Sequence, residues 1–329
     1  MNSPAAPLPM NDAAKGIGFI LAGMLAISLN DMLIKFLSGG YPLHQMVFVR
    51  SAIGILFSLL LVQVEGGWHI LRPDRPFLHL ARGLLVVTAN MTYFAALAVL
   101  PLAEATALFF AAPLFITLLS IPLLGEKVGP WRIGAVVAGF AGVLVMLRPW
   151  EGALDVPRLV LLLPVVAALT YALMQLLTRK LGATAKASAM AVYIQGTFLV
   201  VAAGFYLVAG DGRFAEGVEN ESLVFLLREW VWPEGRDIWL FLALGANSAV
   251  IGYSLSAAYR AADVATVAPF EYVALPLAVI WGWFVFAEWP SGPVWAGIAL
   301  IMGAGLFVFL RERQKNRLVA SRARVRRRY

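Results

Sequence analysis

The sequence specifies an all-α integral membrane protein of ten transmembrane helices, arranged as two inverted five-helix repeats. Three observations predict this. Of 329 residues, 61% are hydrophobic and 14% charged, against about 25% charged in a soluble domain. The apolar residues form ten continuous runs, each near the ~20 residues that cross a bilayer. The two five-run halves carry matching landmarks.

The runs follow in order. Gly16–Leu37 comes after Lys15; its length and its Asp31 and Lys35 mark a retained helix rather than a cleaved leader. The turn Gly39-Gly40-Tyr41-Pro42 leads into Leu43–Val64, and a loop with Arg72 and Arg75 leads into Phe77–Val99. Leu100-Pro101 separates that run from Leu102–Leu124, which is followed by Gly129–Leu147 and Arg148-Pro149. The second half holds Leu159–Leu177, Ser188–Ala209, Ile238–Ala258, Val264–Ala287 and Pro293–Leu310. Gly and Pro at the short links predict helical hairpins. Continuous apolar runs exclude a barrel, whose strands alternate polar and apolar residues.

Orientation follows the Lys/Arg bias. With a cytoplasmic N-terminus, 18 of the 26 basic residues lie on the inside and five on the outside. Both termini are therefore expected in the cytoplasm. The tail 311–329 carries nine basic residues and Glu312; it reads as a topology anchor on anionic lipid rather than a nucleic-acid site. The outside segment 210–237 carries seven acids and three arginines. Its apolar stretch Leu223–Trp232 reads as a helix lying in the interface, with Trp230 and Trp232 at headgroup level. A lid over a substrate entrance is the sharper alternative.

Leu124-Gly125-Glu126 matches Phe286-Ala287-Glu288, each triplet ending a long run. Gly134 and Gly142 match Gly297 and Gly305 at the same separation. The expected division is therefore 1–150 and 151–310, with 311–329 as a basic tail. Five spans per half is odd, so the second half starts on the opposite side of the membrane. Inverted repeats are a construction of secondary transporters, with substrate at the repeat interface near the midplane.

The sequence resembles the EamA family of the drug/metabolite transporter superfamily. The likeness rests on Lys35, on Pro42 followed by Arg50, on Arg75-Pro76-Phe77 leading to Arg82-Gly83, and on Leu100-Pro101-Leu102-Ala103-Glu104-Ala105. Pro113, Gly125-Glu126-Lys127, Ala265-Thr266-Val267-Ala268-Pro269, Glu271-Tyr272 and Glu288 complete it. The resemblance implies ten helices in two inverted repeats and transport of a small metabolite, such as an amino acid or nucleoside, in either direction. Asn30-Asp31 and the stretches around Arg82 and Glu271 look most like the family's S-adenosylmethionine uptake carriers.

Charges inside a span cost at least a few kcal/mol and face a wet cavity or a partner. Asp31 and Lys35 stand i, i+4 and can pair. Arg50 lies about seven residues into its run, ~10 Å deep. These three can form one site for a zwitterion, or a salt-bridge network joining the first two helices. Glu104, three residues after Pro101, reads as a helix N-terminal acid or a substrate contact. Glu126 and Glu288 end their helices against the dipole, so each is expected to have a cationic neighbour. Pro269 is expected to kink the ninth helix and places Glu271, beside Tyr272, as a binding or proton-relay position. The competing reading pairs Glu271 with Arg82 or Tyr253. Asn90 and Tyr93, with Tyr171 and Gln175, add polar stripes that bind ligand or join helices.

Several chemistries lack their motifs. There is no cysteine, no Walker loop, no zincin helix and no nucleophile elbow. His44, His69 and His79 lack ligand spacing, and neither metal nor cofactor is expected. The expected partners are a small-molecule substrate, the lipid bilayer and protons as coupling ion. A membrane-integral enzyme or lipid-modifying protein is the rival reading.

Overall fold

A computed structural model describes residues 10–72, 75–126, 128–151, 157–181, 187–262 and 264–326. Lys127 of the motif above and the last three tail residues lie outside the described residues. Every regular element among the described residues is helical. The helices are α1 (Met10–Leu37), α2 (Leu43–Glu65), α3 (Pro76–Leu97), α4 (Leu102–Phe109), α5 (Ala112–Leu124), α6 (Pro130–Leu147) and α7 (Arg158–Leu181). They continue with α8 (Ala187–Ala209), α9 (Glu221–Leu227), α10 (Arg236–Ala261), α11 (Val264–Val267), α12 (Ala274–Phe286) and α13 (Gly292–Arg326).

Among the described residues, ten helical segments are long and apolar enough to cross a membrane. Large apolar side chains such as Leu60, Val64, Phe77, Val200, Leu207 and Phe284 are exposed on the bundle surface. In water such a surface would be an aggregation hazard; against lipid it is the expected exterior.

Two spans are interrupted. The fourth breaks at Phe110–Ala111 between α4 and α5, with Pro113 in the first turn of α5. Pro113 has no N–H to give to the turn before it, so the α ladder cannot run through. The ninth is not simply kinked: Ala268–Val273 forms a 3-10 turn with Pro269 in its first turn, between α11 and α12. α5 and α12 are each 13 residues long. They also end alike. Gly125 (φ 68°) and Ala287 (φ 55°) are left-handed. Gly125 N–H donates to Ile121 O and Ala287 N–H to Trp283 O, the five-to-one bond of an αL cap, and Glu126 N–H and Glu288 N–H each reach a carbonyl six residues back, Ser120 O and Gly282 O.

The helices pack across the two halves. α1 lies against α10, α3 against α7, α2 against α8, and α6 against α13. The short α4 is central, touching α1, α3, α6, α7, α12 and α13, and Leu102 to Leu108 are all buried. α6 and α13 approach closely because a Cβ on Gly142 would lie 3.1 Å from Gly297 O, and one on Gly297 would lie 3.0 Å from Gly142 O. The other two landmark glycines do not meet. Gly134 has open space around its Cβ position, and Gly305 instead makes room for the Tyr272 hydroxyl.

Most helix ends lie within four residues of expectation. The first begins earlier, at Met10, and the last runs past Leu310 to Arg326. The tail up to Arg326 continues the helix because it holds no Gly or Pro and is rich in good helix formers.

The 210–237 segment departs from expectation. It holds the short helix α9 and is clamped onto the ends of neighbouring helices. Asn220 caps α9 through Leu223 N–H (3.1 Å), and Phe225 enters the core at 1% exposure. Ser222 donates to Ala95 O (2.7 Å) and Arg228 to Ser38 O (3.1 Å). Gln45 both donates to Val231 O (2.6 Å) and accepts from Val231 N–H (3.2 Å). Trp230 turns inward against His44, Phe48 and Tyr206, while Trp232 stays exposed. Carbonyls at the ends of α1 and α3 and the Gln45 side chain at the start of α2 supply the partners that hold the segment down.

Candidate functional site

Asp31 lies in the last third of α1 and is buried. Its Oδ1 accepts from Asn30 (3.2 Å) and its Oδ2 from the Tyr93 hydroxyl of α3 (3.1 Å). Tyr93 in turn lies 3.1 Å from Thr106 Oγ1 of α4. Arg50 of α2 is buried beside them. It donates to Asn30 Oδ1 (3.5 Å) and Asn90 Oδ1 (3.4 Å), with its guanidinium over the rings of Phe94 and Phe198. Cation–π contacts of this kind supplement long hydrogen bonds where water is absent. Five helices, α1 to α4 and α8, thus meet at one opposite-charge cluster. A gap beside it is lined by Ile27, Ser28, Asp31, Leu102, Thr106, Ala274 and Ala278. It has room for little more than a water molecule. Its walls come from α1 and from both interrupted spans.

A second polar group gathers near the break in the ninth span. Arg82 Nε donates to Thr178 Oγ1 (2.8 Å), and Gln175 to the Tyr171 hydroxyl (2.8 Å). Tyr171 lies in the fields of both Arg82 and Glu271, and Tyr272 in that of Glu271. Tyr253 is not placed to serve here; it is 57% exposed and packs edge-on against Phe19. A run of rings joins the two groups: Phe94, Tyr93, Phe109 and Tyr171, with neighbouring centroids 5.1–5.5 Å apart. Phe110 stacks on Tyr272 at 5.3 Å. The break in the fourth span therefore sits between the two polar groups.

Three sequence expectations need correction. Asp31 and Lys35 do not pair. Lys35 Nζ binds Glu288 Oε1 (2.9 Å) and donates to Leu97 O (3.2 Å) and Leu100 O (2.5 Å). A residue 253 positions away competes better than the i, i+4 neighbour, because Asp31 already has Asn30 and Tyr93. Lys35 consequently leaves the Asp31–Arg50 cluster. Glu104 does not cap its helix either. Glu288 Oε2 takes the free Leu102 N–H instead (3.0 Å), and Glu104 is buried. Glu288 does have its expected cation; Glu126 sits half-buried after α5. Thr106, Phe94, Phe198, Phe109 and Phe110 were not singled out from the sequence. Their only signal was the Phe109-Phe110 pair just before Ala111-Ala112-Pro113.

Ten membrane-length helices, and buried opposite charges where interrupted spans meet, define a multi-pass membrane carrier. Comparisons agree with that class. Residues 14–148 match the EamA-like transporter family. A riboflavin transporter of Rhizobium johnstonii is 32% identical, over 94% of this chain and 95% of its own length. An S-adenosylmethionine uptake transporter of Rickettsia felis is 27% identical over 93% and 97%. A pseudopaline exporter of Pseudomonas aeruginosa is 29% identical over 88% and 94%. One solved crystal structure superposes with TM-score 0.60 at 21% identity, covering 93% of this chain and 98% of that one, a likeness of fold. The chain belongs to the EamA-like transporter family, and the names of these relatives support a small-metabolite transporter.

Proposed function

We propose that the protein is a secondary transporter that moves a small polar metabolite across the bacterial inner membrane by alternating access. The observation that carries this reading is the buried Asp31–Arg50 cluster beside the gap walled by both interrupted spans. Discontinuous helices at corresponding positions of two halves are the usual construction of a transporter binding site. The matched caps of α5 and α12 and the cross-half pairing of the helices support a division at residue 150 into two inverted repeats. The tight gap fits an occluded conformation.

Riboflavin is the first substrate to test, because relatives of 32% identity in Rhizobium johnstonii and Vibrio cholerae carry that name. The line of rings from Phe94 to Tyr171 suits stacking on a flat heteroaromatic system. Asp31, Asn90 and Arg50 suit hydrogen bonding to its polar edge. S-adenosylmethionine is the second, because relatives of 26–28% identity in Rickettsia species carry that name. Purified protein in liposomes should show saturable counterflow of labelled riboflavin, and the same ligand should raise Tm by mass action. Product formation without vectorial movement would mark an enzyme and sink the reading.

The charge bias supports cytoplasmic termini, with 210–237 outside. Reporter fusions at Tyr329 and at Gly217 are expected to signal opposite compartments. Matching signals would refute this orientation.

A further inference from the structure

We propose that Glu104 is a proton-binding carboxyl whose ionisation decides whether Arg148 stays with Glu151 or turns to Glu104. Its purpose rests on the transport reading above; its test does not.

Glu104 is 6% exposed, in the first turn of α4. Its Oε1 has no hydrogen-bond partner. Arg148, the C-cap of α6 at φ 43°, is the cation whose field reaches it. Arg148 Nε is likewise buried without a partner, while its Nη1 holds Glu151 at 3.4 Å. Glu104 and Arg148 are not in ion-pair contact. The other charged or titratable groups around α4 are committed. From α1, Lys35 is held by Glu288, and Asp31 by Asn30 and Tyr93 of α3. Tyr171 of α7 is held by Gln175. Glu288, just past α12, is shared between Lys35 and Leu102 N–H. The stretch of α13 from Val294 to Ala304 has no titratable residue.

A buried carboxylate with one oxygen unpartnered is far better neutral than charged. In this geometry Glu104 carries a proton and Arg148 remains on Glu151. When Oε1 loses that proton, the carboxylate attracts the Arg148 guanidinium, whose field reaches it. Arg148 can then give its free Nε–H to Glu104, exchanging one acid for the other. Reprotonation restores the first arrangement. The site bears on the gap because α4 also carries Thr106 beside Asp31, and because its first N–H is held by Glu288. A shift of α4 driven at Glu104 reaches both.

The test is infrared difference spectroscopy of the purified protein in lipid, between acid and alkaline buffer. The native chain should show a protonated-carboxyl band that titrates and is missing from Glu104→Gln. Glu104→Asp should move that band, which assigns it even if the Gln variant does not fold. In proteoliposomes, an acid gradient should raise riboflavin uptake several-fold for the native chain and leave Glu104→Gln unaffected. Absence of a titrating band from position 104 overturns the proposal. So does gradient-driven uptake undiminished in Glu104→Gln. If riboflavin is not moved by the native chain, the riboflavin assignment fails, and the infrared titration alone decides the proton site.

Discussion

Asp31→Asn should lower the initial rate of riboflavin counterflow roughly a hundredfold while the protein stays folded. The substitution keeps the shape and leaves Tyr93 an oxygen to donate to. What disappears is the negative charge of Asp31 in the gap wall, along with charge-assisted bonds worth about 2–3 kcal/mol, or about a hundredfold. Arg50 remains held by Asn30, Asn90 and two rings, so the stability loss should be smaller, about 1–2 kcal/mol. Arg50→Leu should behave differently. It strands Asp31 among apolar walls and should cost more stability than Asp31→Asn. The double variant should regain part of that stability and none of the uptake. Melting curves and counterflow on the three variants make one double-mutant cycle. Native-like uptake in Asp31→Asn would remove the cluster from the transport path.

The second large effect is expected at the end of the bundle that holds Lys35. Three bonds from its ammonium tie α1 to the α3–α4 link and to the end of α12. Lys35→Met should cost about 3 kcal/mol, as expected for stripping one partner from a largely buried pair. It should also open that end. The chain has no cysteine, so a single Ala103→Cys probe can be read in an otherwise native background. A membrane-impermeant maleimide should label it much faster when Lys35→Met is also present. Equal labelling rates with and without Lys35→Met would mean that this ion pair closes nothing.

The ten spans were legible because their signal is local: long apolar runs punctuated by Gly and Pro. The break in the ninth span was half legible through Pro269. The break in the fourth was not, since Pro113 follows it by two residues inside an unbroken apolar run. Intramembrane charges marked which residues would matter but not their partners. Lys35 finds Glu288 across most of the chain, and that choice depends on Asp31 being already satisfied. Glu104 had the position of a capping acid; a distant side chain took its place. The 210–237 segment showed an apolar pattern that fits an interfacial helix and a clamp equally well. The clamp is visible only through its distant partners, the carbonyls of Ser38 and Ala95 and the side chain of Gln45.

The last helix has a mechanical consequence. α13 runs unbroken for 35 residues, a rod of about 52 Å at 1.5 Å per residue, against a hydrocarbon slab of about 30 Å. One part is seated along α6; the part beyond Leu310 is an arm about 24 Å long. A stiff arm anchored at one end is a lever. A tilt of about 10° within the bundle displaces its far tip by roughly 4 Å. If the two halves rock against each other as proposed, the motion is carried out to Arg326, where a distance probe can measure it.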